Sequence, residues 1–239
     1  MLKRLSAVPA DRLNLALMLL LTFGTGVVDA VGYLGLDRVF TGNMTGNVVI
    51  LGMALVGAED LPVIGPLLAL GGFMAGAAIG GRVLKRARPG WTTRTTLLFG
   101  VVGLTMLALA AVLFVDQNPP HAVVLAVTTL LGGVMGVQAA TARFLAVKDV
   151  TTVVVTSTLT GLAADSVLGS GTGGGSGRRA AAVMLILAGA GAGAALLAWH
   201  VAAGLLLASV IVLTATLVGA AHERWGRKHG SAVVAEALD

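Results

Sequence analysis

The chain has 239 residues, of which 56% are hydrophobic and only 11% charged. A water-soluble domain carries about 25% charged residues, so a chain with a mean hydropathy of +0.94 has too few charges to cover a soluble body. Its net charge of +5 is therefore not read as a nucleic-acid footprint, and the absence of cysteine excludes disulfides and thiolate metal centres.

Apolar segments run over 13–36, 41–58, 62–84, 95–115, 121–145, 151–168, 180–199 and 201–221. Most match the length needed to cross about 30 Å of hydrocarbon. The first follows Lys3, Arg4 and Arg12. It is longer than a signal-peptide core and shows no small-residue cleavage site, so it is expected to be a retained helix. Two segments differ from the rest. Segment 41–58 opens on Thr41-Gly42-Asn43-Met44-Thr45-Gly46-Asn47, leaving about three apolar turns. Segment 151–168 opens on Thr151-Thr152, continues through Thr156, Ser157, Thr158 and Thr160, and ends near Asp165.

Charge decides how these two are drawn. If all eight segments cross with the N-terminus inside, the 16 Lys and Arg divide evenly between the two sides. If both polar-headed segments dip in and return, 15 of the 16 fall inside and only Arg38 lies outside, with Asp37, Glu59, Asp60 and Asp116. Cytoplasmic loops carry the excess of Lys and Arg. The second arrangement is therefore expected, with both termini cytoplasmic.

The chain also echoes itself. Thr41 to Gly46 aligns with Thr156 to Gly161, Gly24 through Asp29 with Gly133 through Gln138, and Gly76-Ala77-Ala78-Ile79 with Gly193-Ala194-Ala195-Leu196. The predicted architecture is an all-α membrane protein with six transmembrane helices plus two re-entrant half-helices, in an inverted 3+3 internal repeat. Residues 1–118 form the first repeat, 119–222 the second and 223–239 a cytoplasmic tail. Inverted repeats with interrupted helices recur in transporters.

The first dip is expected to run extended from Asp37 to Thr41, turn at Gly42 and return as a helix toward Glu59. That places a helix N-terminus, with its free N–H groups and positive dipole end, at membrane depth. Thr41, Asn43, Thr45 and Asn47 are suitable caps or solute ligands, and Thr156, Thr158 and Thr160 supply a matching start in the second dip. These groups either line a pathway or only satisfy their own backbone. Asp29 is the one acid well inside a full span, and an intramembrane charge faces protein or water. It serves as a ligand or proton-coupling site, or else as a structural acid capping the re-entrant backbone or pairing with Arg38. Gln138 is its counterpart in the sequence repeat. Gly72, Gly76 and Gly80, echoed by Gly189 and Gly193, form faces for close helix packing, within the chain or between subunits. Gly169–Gly177 lacks the Gly-Lys-Ser/Thr ending of a phosphate loop and reads as a linker. The four histidines show no metal-ligand spacing.

Val28-Asp29-Ala30-Val31-Gly32-Tyr33-Leu34, followed by Val39-Phe40-Thr41-Gly42-Asn43-Met44-Thr45-Gly46-Asn47, resembles the signature of the YoaK family, also called the DUF1275 family. Gly136-Val137-Gln138 and Thr151-Thr152-Val153-Val154 to Leu159-Thr160 resemble its second conserved stretch. Ala139 departs from the Asn expected there. The resemblance implies a bacterial multi-pass membrane protein and brings no activity with it.

The function expected from the residues is a transporter or channel for a small polar solute or anion in the inner membrane, with proton coupling if Asp29 titrates. The pathway residues are Asp29, Thr41, Asn43, Thr45, Asn47, Gln138, Thr156, Thr158 and Thr160. The competing expectation is a non-transporting scaffold that packs through glycine-rich faces. The partners expected are the lipid bilayer and the solute, with a homo-oligomer left open. Enzyme activity, a cofactor, a metal and nucleic acid are not expected.

Overall fold

The computed structural model describes residues 8–236 apart from 59–60, 117–118, 148–154, 168 and 172–174, with side chains described as far as residue 227. Among these residues the chain forms eight α-helices and no strand. They are α1 (Ala10–Gly35), α2 (Met44–Leu55), α3 (Ile64–Leu84), α4 (Thr93–Val115), α5 (His121–Leu145), α6 (Val155–Ala164), α7 (Ser176–Leu197) and α8 (Val201–Glu236). Residues 223–236 of the segment read as a tail thus continue α8. The opening of the second dip, Thr151 and Thr152, lies outside the described residues.

Local sequence sets several of these boundaries. Pro9 and Pro120 precede α1 and α5, where a fixed φ suits a helix entry. Thr92 and Thr95 close a reciprocal capping box at the start of α4. Ala146 ends α5 in the left-handed region at φ 49°. Six helices are long and apolar enough to cross a membrane: α1, α3, α4, α5, α7 and the Val201–Arg227 part of α8. Helices α2 and α6, with 12 and 10 residues, reach only about 18 and 15 Å.

The long helices associate chiefly as three pairs, α3 with α5, α1 with α7 and α4 with α8. Small residues permit the closest approaches. A Cβ on Gly136 of α5 would collide with the Phe73 carbonyl oxygen and sit 2.9 Å from the Ala77 nitrogen of α3. A Cβ on Gly26 of α1 would meet the Ile186 carbonyl oxygen and sit 2.8 Å from the Ala190 nitrogen of α7. Gly76 is pressed against the Gly133 backbone in the same way as Gly189 against that of Phe23. The glycine faces singled out in the sequence are therefore spent inside the chain. Beneath them lies a core of fully buried side chains that includes Met18, Leu21, Phe99, Met106, Leu113, Leu131, Met135 and Leu205.

End-to-end contacts fix the helix directions. Asp37, just past the end of α1, abuts Gly65 in the first turn of α3 and lies 3.7 Å from His121 at the start of α5. The start of α1 (Asp11, Arg12) shares a recess with the end of α5 (Leu145, Ala146) and with Arg178 of α7. His222 of α8 lies 3.1 Å from the Val8 carbonyl oxygen, and Trp91 before α4 packs on Gly219 of α8. Helix α3 thus begins at the end of the bundle where α1 finishes. The basic residues separate accordingly. Arg12, the α3–α4 connection with its Lys85, Arg86 and Arg88, and Arg143, Arg178, Arg179 and Arg224 gather at the end where α1 starts. Arg38, Asp37 and Asp116 occupy the other.

Candidate functional site

The site is built where the chain folds back along α1. From Gly24 to Gly32 every residue of α1 is buried. Its absent Cβ lets Gly32 take the returning backbone in contact, and its carbonyl accepts the Val39 N–H at 3.2 Å. Arg38 makes the turn with φ 50°. Phe40 then stacks on Tyr33 with ring centroids 4.9 Å apart.

Asp29 receives the next stretch. Its Oδ1 accepts the Thr41 N–H at 2.9 Å and the Gly42 N–H at 2.7 Å, and its Oδ2 accepts from Asn43 Nδ2 at 2.6 Å. The Phe40 N–H donates to Asn47 Oδ1 at 2.8 Å, and Asn47 Nδ2 donates back to the Phe40 carbonyl. Every amide from Val39 to Gly42 therefore has an acceptor, as buried backbone requires. A Cβ on Gly42 would fall 2.8 Å from Thr25 Cγ2 and 3.1 Å from Met135 Cε, so only glycine fits against α1 and α5. Asn43 occupies the N-cap of α2 without capping it through its side chain. Its amide is committed to Asp29, and the carboxylate supplies the negative charge that a helix start favours. Asp29 thus caps the backbone of the returning segment.

A cleft of about 890 Å³ opens between α1, α2, α6 and α7. Asp29, Asn43, Thr45 and Thr156 all line it, so the starts of both short helices and the intramembrane acid share one space. Its apolar walls include Tyr33, Leu34, Phe40, Ile186 and Leu187.

The other expected site residues lie elsewhere. Thr41 and Asn47 are buried behind the cleft and brace its wall. Gln138 is buried on α5, with Nε2 donating to Thr25 Oγ1 at 3.3 Å. Thr158 is buried and is not among the residues described as lining the cleft. The Thr160 hydroxyl donates back to the Thr156 carbonyl at 2.9 Å, a local helix bond. Sequence reasoning missed the aromatic pair Tyr33–Phe40, whose signal is their place on either side of the turn. It also missed Arg179 of α7, which donates to the Gly161 carbonyl at 2.9 Å and to Asp165, tying the end of α6 to α7.

A family profile described as "Protein of unknown function (DUF1275)" matches residues 17–218. The chain is 31% identical over 150 residues to the UPF0700 transmembrane protein YoaK of Bacillus subtilis (strain 168). That match covers 62% of this chain and 65% of the relative, just under two thirds of its length. No solved structure matches the chain.

Proposed function

The chain belongs to the YoaK (DUF1275) family and is a multi-pass membrane protein, and from that premise we propose that it carries a small polar solute across the bacterial inner membrane through the cleft between α2 and α6. The observation that carries this is the meeting in one cavity of Asp29, Asn43 and Thr45 with Thr156. Irregular backbone at membrane depth is tolerated where protein or a water-filled cavity surrounds it, and polar groups converging in a mostly apolar cavity are the usual form of a ligand site.

In this proposal α2 and α6 are re-entrant half-helices in an inverted 3+3 repeat. The start of α3 at the end of the bundle where α1 finishes supports the first part. The matched contacts support the second. Gly136 meets Phe73 and Ala77 as Gly26 meets Ile186 and Ala190, and α2 packs on α3 as α6 does on α7. Carrying Gly26 onto Gly136 sets Asp29 opposite Ala139, one residue from the sequence match that set it opposite Gln138. The repeat is then chemically one-sided, with a carboxylate in the first half and a methyl group in the second. The gathering of basic residues at the end where α1 starts supports a cytoplasmic N-terminus. The scaffold alternative draws no support from glycine faces that are already occupied within the chain.

The test is flux in liposomes containing the purified protein, with a panel of small polar solutes on one side. Thr45→Val and Thr156→Val remove hydroxyls that line the cleft and are exposed there. Each is expected to lower flux by about tenfold, the worth of one lost hydrogen bond, with melting unchanged. Wild-type liposomes that move nothing faster than empty ones would reject the transport function.

A further inference from the structure

We propose that the cleft selects a small organic cation, its charged head against Asp29 and its hydrocarbon body along the Tyr33–Phe40 wall. This rests on the transport function above and narrows it to one class of solute.

Three observations converge. The first is charge. The described lining of the cleft contains one carboxylate and no Lys, Arg or His. The donors that hold Asp29 are backbone amides and the Asn43 side-chain amide, all formally neutral. They orient the carboxylate, and the start of α2 offsets only about half of its charge. With half of that charge remaining, a second anion about 4 Å away would be disfavoured by roughly thirtyfold at an effective dielectric near 20, and a cation favoured correspondingly.

The second is access. Asp29 and Asn43, whose Nδ2 donates to Oδ2, both line the cleft, so the charged head of a solute reaches the Oδ2 side of the carboxylate.

The third is shape. Tyr33 and Phe40 stack at 4.9 Å and both face the cavity, with Ile186 and Leu187 across from them on α7. Aromatic faces attract cations, and the apolar wall accommodates a carbon skeleton that a hydrated inorganic ion lacks. A volume of about 890 Å³ admits a molecule of that kind, since small-molecule pockets run from about 300 to 1,000 Å³.

The experiment compares two permanently charged probes of similar size, benzyltrimethylammonium and benzenesulfonate, for uptake into liposomes containing the full-length protein. Saturable uptake of the cation alone is expected, lost in Asp29→Asn. Because that variant disturbs the backbone cap, Tyr33→Leu is the second. It keeps the fold, with melting unchanged, and raises the concentration for half-maximal cation uptake by roughly tenfold. Uptake of benzenesulfonate in preference to the cation, or of neutral solutes from the polar panel alone, would overturn the cation selectivity and leave transport standing. Cation uptake indifferent to both substitutions would overturn the site. Liposomes that move neither probe nor any panel solute would remove the transport function and this proposal with it.

Discussion

Asn47 and Phe40 bond to each other twice, the Phe40 amide donating to Asn47 Oδ1 at 2.8 Å while Asn47 Nδ2 donates to the Phe40 carbonyl. One side chain in the first turn of α2 thus replaces both the donor and the acceptor that a neighbouring strand would offer an extended residue. It also sets Phe40 against Tyr33, and so shapes the cleft from behind. Asn47→Leu keeps the size and removes both bonds. Leaving buried polar groups unpaired costs about 1–3 kcal/mol each, so a clear fall in the melting temperature of the detergent-purified protein is expected. Unchanged melting would mean that the brace contributes nothing.

Asp29 and Asn43 form a donor–acceptor pair whose polarity can be reversed. Asp29→Asn alone sets two amide NH2 groups face to face, and Asn43→Asp alone sets two carboxylates together. Each is expected to destabilise the protein by about 1–3 kcal/mol or more. The double variant Asp29→Asn with Asn43→Asp restores a donor opposite an acceptor and keeps Oδ1 for Thr41 and Gly42. Recovery of more than half of the lost melting temperature is expected, and a double variant no better than the worse single would refute the pairing as the source of stability.

Gly76 and Gly71 lie on opposite sides of α3. A side chain at Gly76 runs into the Gly133 backbone, whereas nothing stands within 4 Å of a Cβ at Gly71. Gly76→Leu is expected to abolish a monodisperse peak in fluorescence-detected size exclusion, since overpacking a tight interface costs about 1–3 kcal/mol or more. Gly71→Leu, facing lipid, is expected to leave the profile intact. Equal tolerance at both positions would contradict the α3–α5 packing.

Ala58 follows α2, and Arg88 lies in the α3–α4 connection at the other end of the bundle. The native chain has no cysteine, so single cysteines at these positions are labelled without background. An impermeant thiol reagent on intact cells is expected to label position 58 and spare 88. The reverse pattern would mean that α2 crosses the membrane, or that the whole protein is turned over.

The membrane fold was legible because hydropathy over about 20 residues is a strong signal, and each of the six long helices overlaps an apolar segment read from the sequence. The shortness of the helix at Met44 was legible from its polar heading, since Thr41, Asn43 and Asn47 have no place on a lipid-facing surface. Their division of labour was not. Asn47 faces inward to Phe40 and Thr45 outward to the cleft because α2 begins at Met44, a boundary set by the tertiary bonds to Asp29. Gln138 was matched to Asp29 by neighbouring letters, whereas packing sets Gly136 opposite Gly26. A one-residue shift on a helix turns a side chain by about 100°, enough to send Gln138 to Thr25 instead of the cavity.

The bonds that hold residues 39–43 all come from within the first two helices, at Gly32, Asp29, Asn43 and Asn47. Every hydrogen-bond partner named for this unit has been synthesised by the end of α2. The glycine side of α1 is different, because Gly26 finds its partners only at Ile186 and Ala190 on α7. Throughout most of synthesis the first helix therefore carries a finished polar turn on one side and a bare groove on the other. The last pair of helices must reach that groove in the membrane, so a stop after α5 would strand an insertion intermediate whose exposed Gly26 face invites capture by any other small-residue helix nearby.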